Sequence, residues 1–176
     1  MHNKVIYQAA RTLDQLGIPS LRFNFRGVGL SEGKHDRGIG EQEDVRAALD
    51  FLAQEFPRLP LLVAGFSFGC WVGLRVGCGD QRVSELIGLG APVGDSDFSY
   101  LSACAKPTLF IQGENDQYGA PLKLKALVNS FPEATHRKMQ IKVVPRADHF
   151  FAGHLEEVDA ALASWLTARH KELLDK

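Results

Sequence analysis

Leu59-Pro60-Leu61-Leu62-Val63-Ala64 runs into Gly65-Phe66-Ser67-Phe68-Gly69, and Phe68 to Val76 continues with apolar residues at near-helical spacing. The first run reads as a buried strand and the last as a helix. The serine between them lies at a sharp strand-to-helix turn, with a glycine two residues to either side. Such a turn crowds its neighbours and tolerates no Cβ there, so the glycines make room while the hydroxyl projects from the sheet edge. The Phe68 N–H, opening the helix, is then aimed at the oxygen of any carbonyl that the serine attacks. An isolated pentapeptide of this kind is more often a plain glycine-rich turn, so its chemistry depends on partners elsewhere.

A serine hydroxyl is a poor nucleophile near neutral pH; it needs a base, and the base needs a carboxylate to orient it. Leu109-Phe110-Ile111-Gln112 is a strand-like run that empties into Gly113-Glu114-Asn115-Asp116-Gln117, placing Asp116 on a loop past a strand. Ile141-Lys142-Val143-Val144 is followed by Pro145-Arg146-Ala147-Asp148-His149-Phe150-Phe151, placing His149 past the last strand. The order is Ser67, Asp116, His149. Three such side chains at the carboxyl ends of strands in one parallel sheet would converge on one edge. Asp95 and Asp97, after the third strand, are the alternative acids, and Asp148 is adjacent to the base but on a loop where neighbours usually point apart.

These residues, with Leu21-Arg22-Phe23-Asn24-Phe25-Arg26-Gly27-Val28-Gly29-Leu30-Ser31-Glu32-Gly33, resemble the small, lidless, esterase-like branch of the α/β-hydrolase superfamily. The likeness is to dienelactone hydrolases, with Ser in place of Cys as nucleophile, and it spans most of the chain. It implies an α/β-hydrolase fold in one domain over 1–176, with a doubly wound parallel sheet of about five strands, flanking helices and no cap. It also implies acyl transfer on a small ester or thioester, with no cofactor and no metal. The contrasting reading is a catalytically weak hydrolase-fold protein that binds a small acyl ligand or a protein partner.

Composition agrees with one globular unit: 176 residues, 45% of them hydrophobic, suffice for a sizeable core. The net charge of −1, with signs interspersed, gives no basic face for nucleic acid. Cys70, Cys78 and Cys104 are odd in number and lack C-x-x-C spacing, which argues against a disulfide framework or structural zinc. No apolar run reaches membrane-spanning length and no signal-peptide core follows Met1-His2-Asn3-Lys4, so the expected location is cytoplasmic.

Along the chain, helices are expected over His2–Leu16 (ending at Gly17), Glu41–Phe56, Phe68–Val76, near Phe98–Cys104, and over Pro121–Phe131 and Leu155–Lys171. Strands are expected at Leu21–Phe25, Leu59–Ala64, Leu86–Leu89, Thr108–Gln112 and Ile141–Val144. This alternation means parallel strands with right-handed crossovers. Gly27-Val28-Gly29 is not a dinucleotide fingerprint, because the third glycine falls one place late and no helix follows. Arg26 and Glu32 read as solvated loop charges, and Asp148, His149 and His154 lack the second cluster that a metal site needs.

The chain departs from its relatives at the start. They carry two or three further strands and a His- and Gly-containing loop that supplies a second oxyanion donor. One lost donor costs a factor of roughly a hundred to a thousand in rate. In the usual strand order one absent strand lies between those at Leu21 and Leu59. Its loss leaves three expectations: direct pairing of the two strands, filling of the slot by another chain, as in a homo-oligomer through the exposed sheet edge, or a start that is internal to a longer reading frame.

Overall fold

The structure, a computed structural model, describes residues 3–174, with side chains to 171. Its first helix, α1 (Lys4–Gln15), starts where Asn3 Oδ1 accepts the N–H groups of Val5 and Ile6 at 3.0 and 3.1 Å. His2, the expected first helical residue, lies outside the described residues. Gly17, at φ 71°, ends α1 as expected, with the Gly17 and Ile18 N–H groups donating back to Asp14 and Leu13.

Beyond it lie α2 (Gly40–Glu55), β1 (Leu61–Phe66), α3 (Phe68–Gly79), β2 (Val83–Leu89), a 3₁₀ turn (Ser99–Ala103) and β3 (Thr108–Gly113). Next come α4 (Pro121–Asn129), the single-turn α5 (Glu133–His136), β4 (Met139–Val144) and α6 (Leu155–Leu174). Among the described residues the strands form one parallel sheet in the order β1-β2-β3-β4. Helices cover both faces. α2, α3 and α4 pack on one through Val45, Leu49, Leu74, Val76 and Leu124; α1 and α6 cover the other through Val5, Leu13, Val158, Leu162 and Leu166. β2 and β3 are therefore buried on both sides and read as near-continuous apolar runs.

The sheet has four strands, one fewer than expected. Leu21–Phe25, expected as a strand, forms none and belongs to no strand ladder, and its Leu21 and Phe23 side chains are exposed. A groove of about 530 Å³ separates it from β1, lined by Ile6, Ala9, Leu13, Phe23, Leu49 and Leu62 among others. Of the three outcomes expected for the slot, direct pairing is not what the structure shows. The physical reason is that the groove between Leu21–Phe25 and β1 is lined by side chains of α1 and α2, Ile6, Ala9, Leu13, Val45 and Leu49 among them, and no backbone ladder crosses it.

Candidate active site

β1 runs straight into the elbow. Ser67 has φ 53° and ψ −121°, a backbone conformation that a residue with a Cβ rarely adopts. The two flanking glycines prove unequal. A Cβ on Gly65 would lie 2.3 Å from the Gly69 carbonyl oxygen, so Gly65 is what lets α3 fold back against the strand. A Cβ on Gly69 would meet only a Phe25 ring carbon at an ordinary 3.7 Å. Phe68 is the first residue of α3, and its N–H therefore has no helical carbonyl behind it to bond. Its ring is held edge-on to Phe25 at 5.6 Å and 5.3 Å from His35, which ties the loop after residue 25 to the elbow.

The three sequence-predicted side chains meet. His149 Nε2 lies 2.9 Å from Ser67 Oγ, and His149 Nδ1 lies 2.8 Å from Asp116 Oδ2. An ionised carboxylate only accepts, so Nδ1 carries the proton and the Nε2 lone pair faces the serine hydroxyl. Asp116 and His149 are buried, at 3% and 2% exposure. The carboxylate is nonetheless well satisfied: Oδ1 accepts the N–H groups of Tyr118 and Gly119 at 2.9 and 3.0 Å, and Oδ2 also accepts from Gln112 Nε2 at 2.7 Å. Of the alternative acids, Asp95 is exposed, and Asp97 and Asp148 have other partners. Asp97 accepts from the N–H and hydroxyl of Ser99, whose backbone bond first of all holds its carboxyl below the usual range. Asp148 turns away from His149 and accepts the N–H groups of Phe150 and Ala152, both at 3.0 Å.

Two contributors escape sequence reasoning. Gln112 is fully buried and joins three segments: its Oε1 accepts the Ala91 N–H at 2.9 Å while Nε2 donates to Asp116 and to the Gly119 carbonyl. These partners also fix which way its amide points, since a flip would set oxygen against carboxylate and nitrogen against N–H. The available signal was a polar side chain following the apolar run Leu109–Ile111, four residues before Asp116. Gly90, at φ 55°, is the other. A Cβ there would lie 3.3 Å from two atoms of the His149 ring, so it leaves space for the imidazole.

No group of three potential metal ligands gathers among the described residues, and His154 pairs with Glu157 at 3.1 Å. Cys70 is fully buried, where desolvation pushes its thiol well above the ordinary range. No described helix is long and apolar enough to cross a membrane.

A serine on a strand-to-helix elbow, facing an imidazole at the carboxyl edge of a parallel sheet, defines a serine hydrolase class. Residues 1–171 match the alpha/beta hydrolase domain family, and the chain belongs to it. It is 39% identical over 171 residues to an uncharacterized protein of Rickettsia prowazekii, covering 94% of this chain and 72% of that one. Among solved structures it resembles an alpha-beta serine hydrolase homologue from Coxiella burnetii, with 38% identity and a TM-score of 0.87 over 94% of this chain and 77% of that one. An a/b serine hydrolase without lid from Xanthomonas campestris gives 37% identity and a TM-score of 0.86, over 96% of this chain and 74% of that one. The protein is an enzyme of the hydrolase type, in the lidless serine-hydrolase branch that the residues resemble.

Proposed function

We propose that this hydrolase cleaves carboxylic esters or thioesters of small molecules through an acyl-enzyme, with Ser67 as nucleophile, His149 as base and acid, and Asp116 as orienting carboxylate. The observation that carries this reading is the unbroken relay from Ser67 Oγ to His149 at 2.9 Å and on to Asp116 at 2.8 Å. His149 Nε2 takes the hydroxyl proton as Oγ attacks the carbonyl carbon. Asp116 stabilises the imidazolium that results, without itself taking the proton. The Phe68 N–H donates to the oxyanion, in a place where the N-terminus of α3 also favours negative charge. Collapse expels an alcohol or thiol that carries the proton from Nε2. Water then repeats the sequence to release the acid. Amides are poorer substrates, because their leaving group demands a complete set of oxyanion donors and Phe68 supplies one.

A fluorophosphonate probe tests the assignment. The wild type should label covalently, and Ser67→Ala and His149→Ala should not. Asp116→Asn should lose roughly 10⁴-fold in turnover with its fold intact. A wild type that neither labels nor turns over an activated ester leaves a hydrolase-fold binding protein instead; unchanged turnover in Asp116→Asn moves the acid role elsewhere.

A further inference from the structure

The reaction fixes where the departing alcohol lies. As the tetrahedral intermediate collapses, the bond from the carbonyl carbon to the alkoxy oxygen breaks and the acyl group stays on Ser67 Oγ. The proton on His149 Nε2 passes to the departing oxygen, which must come within about 3 Å of that nitrogen. The group borne by that oxygen therefore sits on the imidazole side of Ser67.

Three aromatic rings surround this imidazole. Tyr118 lies 4.7 Å from it between ring centres, Phe66 4.9 Å and Phe150 5.1 Å. Phe66 is buried and belongs to the core. The other two do not: Tyr118 is 42% and Phe150 54% exposed, and neither joins either core cluster. Both are held firmly by their backbones, Tyr118 through its N–H to Asp116 Oδ1 at 2.9 Å and Phe150 through its N–H to Asp148 Oδ1 at 3.0 Å. They stand at 63° and 83° to the imidazole plane, so neither ring lies flat over it. Two large apolar rings fixed half in water beside a proton donor form a wall that a polar leaving group leaves wet and an apolar one dries. Ring-bearing groups gain most, since offset and edge contacts between aromatic rings at such spacings add to the burial itself.

We propose that Tyr118 and Phe150 form the leaving-group site, and that it takes an apolar, ring-bearing alcohol, making aryl and arylalkyl esters the preferred substrates. This rests on the serine-esterase reading above. Benzyl acetate and methoxyethyl acetate test it, because they share an acyl group and release alcohols of similar acidity. The wild type should favour the benzyl ester by roughly tenfold or more in kcat/KM, the size of discrimination that an apolar pocket gives. Tyr118→Ala and Phe150→Ala should each shrink that ratio, the double variant should bring it near one, and Tyr118→Phe should keep it. Equal wild-type rates on the two esters, or a ratio that survives the double variant, would overturn the site. A wild type inert to both esters and to the fluorophosphonate would instead remove the esterase reading beneath it.

Discussion

Gln112 is fully buried beneath the candidate site and bonds to three of the segments that build it. Its amide holds the loop after β2, the carboxylate of Asp116 and the Gly119 carbonyl together. Gln112→Leu strips one donor from Asp116 and leaves the buried Ala91 N–H and Gly119 carbonyl short of partners, at a cost of about 1–3 kcal/mol each. We expect a lower melting temperature and a kcat reduced by roughly tenfold, about 1.4 kcal/mol. KM should change little, because Gln112 is sealed beneath the site. Steady-state kinetics below the melting transition separates the two effects, and an unchanged kcat would show that Asp116 is held by its backbone donors alone. The meeting of Ser67, Asp116 and His149 at one sheet edge was legible in the sequence, because each follows a strand-like run and their order is distinctive. Gln112 was not. A polar residue near the end of a strand looks the same whether it meets solvent or three buried partners, and those partners lie 21, 4 and 7 residues away.

At the scale of elements, the elbow depends on one glycine more than on the other. Gly65→Ala drives a Cβ to 2.3 Å from a backbone oxygen, and only a shift of α3 against β1 can relieve it. Gly69→Ala adds a methyl group in open contact within a helix, where alanine is favoured over glycine by about 1 kcal/mol. Urea unfolding should show Gly65→Ala destabilised by about 1–3 kcal/mol, as at other overpacked sites, and Gly69→Ala unchanged or more stable. Similar losses in both would contradict this asymmetry. The loop from Arg26 to Ile39 is held by two carboxylates. The Arg26 side chain, first of all, holds the Asp44 carboxyl below its ordinary 3.8. Burial pushes the Glu41 carboxyl up, but the N–H groups that it accepts, those of Asp36 and Gly38 among them, outweigh this and keep it below 4.5. Both folded values lie under the unfolded ones, so their stabilisation is complete above about pH 4.5 and is lost as the pH falls through the folded values. Thermal melts from pH 7 downward should steepen below that point. Glu41→Gln should start less stable at pH 7 and decline less in acid. Most strands and helices were legible from their periodicity to within a few residues. The single-turn α5 was not expected, being too short to show a period, and Leu21–Phe25 was expected as a strand and is none, for alternation says nothing of whether a neighbouring strand is there to pair.

For the molecule as a whole, that segment leaves β1 at the margin of the sheet with a groove beside it. The Leu61 and Ser67 N–H groups donate to Arg82 and Leu89 carbonyls, toward β2. The pleat then turns the Val63 and Gly65 amides the same way and those of Leu62, Ala64 and Phe66 toward the groove. Ala64 is exposed in the middle of the strand, as is unusual for a strand flanked by helices on both faces. An open margin of this kind is where a sheet accepts another strand. Amide hydrogen exchange on dilute protein should therefore divide β1 by parity: Val63 and Gly65 protected to near the global unfolding free energy, Leu62 and Ala64 exchanging far faster. If the protection of Leu62 and Ala64 rises with protein concentration, copies of the chain are covering the margin, and sedimentation should show the same association. Equal protection along β1 at every concentration would mean that Leu21–Phe25 closes onto the strand in solution, and the groove would not persist there.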